Sequence, residues 1–273
     1  MRCFMKDKKL IRFSILSFGF VVALFFCGAG LSAQTPEELL KLTQDNTAFF
    51  TTDFSGKYTV VQEKPGEGKS LTEAIMYRRD KTSQWTILVT GPGKEKGKGY
   101  LQSGGSIWFY DPSDKRFTFT SAKDKFQNTN ANNSDFAPQY YYRDYTIESA
   151  EKVKLGAYNC VLFNLVAKVE SVDYPRLKLW VTETDGLVRK KEDYSLSGQL
   201  LRTTAVPSYQ IVEHEGQKYS VPVSMLIMDN LRGKKIAGKM QYERTQISIS
   251  NVSFSKVDDI VYTKPYLEMM GDR

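Results

Sequence analysis

Three cysteines and one histidine are all that 273 residues contain, and those shortages exclude much chemistry. Cys3 and Cys27 lie at the extreme N-terminal end, which leaves Cys160 alone in the remainder. An internal disulfide is therefore excluded there, and the fold must rest on its core. Cys160 sits in a strongly apolar stretch with no base beside it, where a thiol acts as a small hydrophobe and not as a nucleophile. His214 stands between Glu213 and Glu215 with no second histidine or cysteine at ligand spacing, so a zinc site of the HExxH kind is excluded and the residue reads as part of a surface hairpin. Gly91 to Gly99, GPGKEKGKG, lacks the Gly-Lys-Ser/Thr ending and the following helix of a phosphate loop, and reads as a hairpin tip. Asp258-Asp259 has no further carboxylates at calcium-loop spacing. No catalytic motif emerges, no metal or cofactor is called for, and the chain is expected not to be an enzyme.

Long hydrophobic runs are also missing. The longest extends from Phe13 to Phe26, short of the roughly 20 apolar residues that a membrane-spanning helix needs. It follows Arg2, Lys6, Lys8, Lys9 and Arg12 and precedes small residues ending Leu31-Ser32-Ala33, the arrangement of a secretory signal peptide. Residues 1–33 are assigned to it, with cleavage after Ala33; Ala29 is the alternative, because Leu31 is larger than the usual residue near a cut. Leu24-Phe25-Phe26-Cys27 has the spacing of a lipoprotein signal, but Phe26 is bulky where the processing peptidase needs a small side chain. Lipidation at Cys27 would tether the protein to a membrane surface by acyl chains; cleavage at Ala33 leaves it free in the periplasm. The signal also carries charge. Of 38 basic and 31 acidic residues, five and one lie in residues 1–33, leaving 33 against 30 and a net of +3. Such a balanced surface has no strong electrostatic footprint and gives only weak support for nucleic acid or anionic lipid as a partner.

Aromatic residues, by contrast, are abundant, with 16 Phe and 16 Tyr. Thr35-Pro36-Glu37-Glu38 is the start signal of a helix running to about Ala48. From Phe54 onward the pattern is antiparallel strands: Phe54, Tyr58 and Val60 alternate with polar residues, and Leu71 to Arg79, Trp85 to Thr90, Ile107 to Asp111 and Arg116 to Ser121 follow. Ala157 to Val169 and Pro175 to Glu183 resume after a break, and turns are expected at Asp185-Gly186, Ser197-Gly198 and Glu215-Gly216. Tyr219 to Ile227 and Ile236 to Tyr242 each alternate as though one face were dry. The break itself has two parts. Ala122 to Ser134, AKDKFQNTNANNS, is a mobile loop by composition, and an aromatic flap bearing Phe136, Tyr140, Tyr141, Tyr142 and Tyr145 comes next. About ten strands, an initial helix and short helical pieces in the flap predict one domain over residues 34–273.

These residues carry a resemblance. The order Ser134-Asp135-Phe136, aromatic run, Asp144-Tyr145-Thr146, then NCVLFNL (159–165), YPRLKLWV (174–181) and LVRKKEDYSLSGQLLRT (187–203) resembles the outer-membrane lipoprotein-sorting proteins of the LolA-like superfamily. LQSGGSIWFYD (101–111) and YTKPYL (262–267) extend the likeness from about Phe54 to the C-terminus. The resemblance implies a mainly β protein with few helices, a single curved antiparallel sheet forming an unclosed β-barrel whose concave face is covered by helices and loops. It further implies lipid or acylated lipoprotein as cargo, an inner-membrane transporter that loads the carrier, and an acceptor at the outer membrane.

A curved single-layer sheet has more inward apolar surface than its own elements cover. The candidate lining of a ligand cavity is Phe136, Tyr140, Tyr141 and Tyr142 of the flap with Leu177, Leu179, Val181, Val223, Met225, Ile227 and Met240 of the strands, although each of these also suits a packed core. Methionine adapts to variable ligands. The expected function is a periplasmic carrier of acyl chains for lipoprotein sorting. An envelope sensor or adaptor that binds another protein is the second reading, and a lipid-acting enzyme the third.

Overall fold

The structure, a computed structural model, describes residues 34–272; the expected signal peptide, its cleavage and the state of Cys27 lie outside the described residues. Helix α1 spans Pro36–Asp45 and begins as its sequence dictates. Glu38 N–H donates to Thr35 Oγ1 and Thr35 N–H donates to the Glu38 carboxylate, which satisfies two amides that a helix start otherwise leaves open. Leu39, Leu40 and Thr43 form its buried side. The helix ends three residues earlier than expected.

Thirteen strands follow: β1 (Phe54–Lys64), β2 (Gly68–Arg79), β3 (Gln84–Gly91), β4 (Gly99–Ser103), β5 (Ser106–Asp111), β6 (Arg116–Thr120), β7 (Tyr145–Leu155), β8 (Tyr158–Ala167), β9 (Arg176–Thr182), β10 (Val188–Tyr194), β11 (Leu200–His214), β12 (Gln217–Ile236) and β13 (Lys239–Ser253). The one-turn helix α2 (Tyr141–Asp144) precedes β7, and α3 (Lys264–Gly271) closes the chain. All the strands belong to one antiparallel sheet ordered β6-β5-β4-β3-β2-β1-β13-β12-β11-β10-β9-β8-β7. Two meanders thus join through β1 and β13, and the sheet is an unclosed barrel. Its free edges, β6 and β7, are consecutive in the chain. The segment that broke the strand rhythm is the one that crosses the opening.

Two of the strands were illegible in sequence for identifiable reasons. Most of β7 faces water on both sides, so its residues lack the alternation that marks a half-buried strand, and its charges Glu148, Glu151, Lys152 and Lys154 blunt an edge. The short β4 opens on Gly99, which reads as turn. A Cβ there would lie 2.5 Å from Leu267 Cδ2, so the bare glycine is what lets α3 press onto the strand.

Both faces of the β3 region are covered. Trp85, Ile87 and Val89 point inward, with Trp85 and Ile87 joining Phe54, Tyr58, Met76, Ile227 and Ile247 in the main core. Leu88 points outward to Leu101, Tyr110, Tyr266 and Leu267 beneath α3. A third cluster joins Leu39 and Leu40 of α1 to Tyr141, Phe163, Leu165, Leu179 and Val181. Cys160 is fully buried in β8, and burial pushes its thiol pKa up. Among the described residues no helix is long and apolar enough to cross a membrane.

The loop from Ala122 to Ser134, expected to be mobile, is instead folded, and together with Asp135 and Phe136 it forms a plug on the concave face. Phe126, Asn130, Ala131, Asn132 and Asn133 are all buried. The reason lies on the sheet, which presents buried Gln62, Thr245, Asp193 and Arg202 to the inside. Buried polar groups need polar partners, and the plug supplies them through the Asn130 backbone and the Asp135 carboxylate.

Candidate functional site

The inward face of β1, β12 and β13, the end of α1 and the plug enclose an apolar hollow. Phe49, Phe54, Tyr58, Phe136, Tyr141, Val221, Met225, Ile227 and Ile249 line it, with Arg78, Asp135 and Lys191 at its margin. Each wall follows from local sequence: period-2 alternation sends Phe54 and Tyr58 to one face of β1, and Val221, Met225 and Ile227 to the same face of β12. Phe49 is held by ring contacts with Phe54, Tyr219 and Phe254, and its backbone N–H donates to Asp80 at 2.7 Å. Arg78 donates to Asp80 through Nε (3.1 Å) and Nη2 (2.6 Å) and to the Thr47 carbonyl, while its guanidinium lies 4.9 Å from the Phe49 ring centroid. Burial pushes the Tyr58 hydroxyl up to about 12, so it stays neutral.

The hollow measures about 130 Å³, close to the ~150 Å³ apolar cavity that admits one benzene. With the plug seated it takes a ring or a few methylenes. A second hollow of about 180 Å³ lies on the other side of Tyr141 and is more polar, bounded by Tyr140, Asp144, Asp173, Tyr174, Leu177 and Arg202.

Between plug and sheet runs a buried charge cluster. Arg202 Nη1 and Nη2 donate to the two Asp135 oxygens at 2.6 and 2.9 Å, and Nε donates to Asp193 at 2.7 Å. Lys191 Nζ lies 3.1 Å from the other Asp193 oxygen. Burial would raise the Asp135 pKa, but Arg202 and Lys191 outweigh it and hold the carboxyl below its ordinary value. Burial likewise disfavours the Arg202 cation, yet the two aspartates hold its pKa well above the usual range. Further along, Asn130 N–H donates to Thr245 Oγ1 (2.8 Å) and Gln62 Oε1 (3.1 Å), and Gln127 N–H donates to the Tyr100 hydroxyl. Gln62 Nε2, Asn130 Nδ2 and Asn133 Oδ1 have no hydrogen-bond partner among the described residues.

Of the expected lining, the structure brings Phe136, Tyr141, Met225 and Ile227 together around the apolar hollow. Tyr140 and Leu177 border the polar one. Leu179 and Val181 are wholly buried under α1 and line neither, and Val223 packs against the main core. Two residues are misplaced by the sequence pattern. Tyr142 is 41% exposed on α2, and Met240 is 55% exposed on a hairpin that leaves the sheet. Alternation from Ile236 to Tyr242 is real, but no layer covers either face there. Phe49, Tyr58, Asp135 and Ile249 were not foreseen as lining; the alternation in β1 was the available signal for Tyr58. Among the described residues no three His, Cys, Asp or Glu side chains are placed to hold a metal ion.

The single unclosed antiparallel sheet is a LolA-like fold, and comparison with solved structures shows it. A LolA superfamily protein from Nitrosomonas europaea matches with TM-score 0.67 and 21% identity over 85% of this chain and 99% of its own. An outer-membrane lipoprotein-sorting protein domain from Vibrio parahaemolyticus matches at 0.68 and 14% over 85% and 97%, and a DUF1329 family protein from Desulfovibrio piger at 0.66 and 16% over 84% and 98%. A family model described as "Uncharacterized protein" matches residues 81–269, more than half of the chain, and the chain belongs to that family. Comparison with curated protein sequences finds no match.

Proposed function

We propose that the protein is a periplasmic carrier that takes lipid, or the acyl chains of a lipoprotein, into the concave face of its sheet and needs no cofactor to do so. The observation that carries this reading is an apolar hollow lying under a plug that crosses the one opening of the sheet. The hollow as it stands is too small for a whole acyl chain, so loading requires the plug to lift. The opposing magnitudes are of the same order. Lifting exposes Phe126 and Phe136, at up to about 3 kcal/mol each, and parts Asp135 from Arg202. One acyl chain of about a dozen methylenes, at roughly 0.8 kcal/mol each, gains on the order of 10 kcal/mol. The unpartnered atoms Gln62 Nε2, Asn130 Nδ2 and Asn133 Oδ1 work in the same direction, because each gains hydrogen bonds to water once the plug leaves.

A membrane transporter that loads the carrier and an acceptor at the outer membrane are the partners that this reading implies. Two measurements test it. Native mass spectrometry of protein purified from a membrane-containing host is expected to show co-purified phospholipid or acylated protein, and N-terminal sequencing of the secreted form is expected to begin at Gln34. Protein that stays empty in the presence of both cargo classes overturns the carrier reading.

A further inference from the structure

The end of the β12–β13 hairpin leaves the sheet. β11 stops pairing with β12 at Asp229, and β1 stops pairing with β13 at Arg244. Beyond those points Gly233 to Ile236 and Lys239 to Tyr242 pair with each other alone, across a two-residue turn in which Ala237 and Gly238 have φ of +49° and +79°. The register sorts the side chains. Tyr242, Met240 and Lys235 share one face, and Lys234, Ile236, Lys239 and Gln241 share the other. Gly233 lies opposite Tyr242, and a Cβ there would come within 3.1 Å of the Met240 sulfur and the Tyr242 ring, so its bareness lets both lie flat on the ribbon.

The finger is cationic. From Leu231 to Arg244 it carries Arg232, Lys234, Lys235, Lys239 and Arg244 against Glu243 alone. Arg244 is engaged by Glu63, and Arg232 lies 3.8 Å from Asp229. Among the described residues Lys234, Lys235 and Lys239 make no ion pair. Lysines on a sheet edge guard against strand pairing, which accounts for the charge but not for the apolar residues among it: Leu231 and Met240 are 55% exposed and Tyr242 38%.

We propose that this hairpin docks the protein on the surface of an anionic lipid bilayer. Both faces of the ribbon carry the same chemistry, apolar side chains between lysines. A protein partner covers one face, and a two-stranded ribbon this narrow offers well under the roughly 800 Å² per partner of a stable interface. Lipid surrounds both faces. Met240, Leu231 and Ile236 dip below the headgroups, the Tyr242 ring sits at their level, and the lysines extend to anionic phosphates. Docking of this kind is independent of what fills the concave face.

The test is co-flotation of the purified protein with phosphatidylglycerol-containing vesicles and with pure phosphatidylcholine vesicles, at low and high salt. Binding to the anionic vesicles alone, weakened by salt, is expected. Replacing Lys234, Lys235 and Lys239 together by Gln is expected to lower it on the order of 100-fold, with an unchanged melting curve because none of the three is buried. An environment-sensitive fluorophore on Met240→Cys is expected to shift to the blue on binding; Cys160 is fully buried and does not compete for the label. No preference for anionic vesicles, full binding by the triple variant, or a label that stays in water overturns the proposal. So does capture of an acidic protein by the hairpin without vesicle binding.

Discussion

At the scale of single residues, Arg202 decides more than any other polar group. It is buried, it holds Asp135 of the plug and Asp193 of β10 at once, and its removal strands two carboxylates in the interior. Breaking a buried ion cluster from one side typically costs about 3–5 kcal/mol, so Arg202→Met is expected to lower stability by that amount in urea unfolding. Asp135 carries a pH dependence. Its folded pKa is depressed, so its stabilising effect is complete above the unfolded value of about 4 and is lost as pH falls through the folded one. Acidification below about pH 4 is therefore expected to loosen the plug. Amide exchange at Asn130 to Asn133 should rise in that window in the native protein. Asp135→Asn, which has lost the charge already, should exchange faster at neutral pH and show a weaker acid response.

Among the elements, the plug and α3 contrast. The plug meets the sheet through hydrogen bonds and a few rings, with polar atoms left over, whereas α3 meets it through Leu267 seated over a glycine. Local opening is easiest where few apolar contacts are lost. Hydrogen exchange is expected to show the plug opening at lower free energy than β1 or β2, and α3 staying protected. Gly99→Ala puts a methyl where Leu267 already sits, and overpacking of that kind costs about 1–3 kcal/mol, read as a lowered melting temperature. The strands of the dry alternating type were legible in sequence, as were the glycine turns at 186, 198 and 216, because period and turn chemistry are local. The plug was not, because the Asn130 backbone and the Asp135 carboxylate meet polar groups that the fold delivers from β1, β11 and β13.

For the whole molecule, the topology explains why the chain interrupts its meander where it does. A sheet that joins its own ends through β1 and β13 must open elsewhere, and it opens between β6 and β7. The plug is thus the chain's own crossing of that opening. If loading depends on lifting the plug, a fluorescent fatty acyl probe is expected to enter the Asp135→Asn protein faster than the native one, with equilibrium affinity raised or unchanged; equal entry rates would place the route elsewhere.

The sequence by itself determined the fold class, the capped first helix, most of the strands and four of the residues around the hollow, since each depends on neighbours a few positions away. Tertiary structure alone decided that Asn130 and Asn133 lie inside, that Met240 and Tyr242 lie outside, and that Phe49 and Asp135 reach the cavity wall. Burial depends on which distant element arrives to cover a face, and a periodic pattern records that a face exists without recording whether anything comes to meet it.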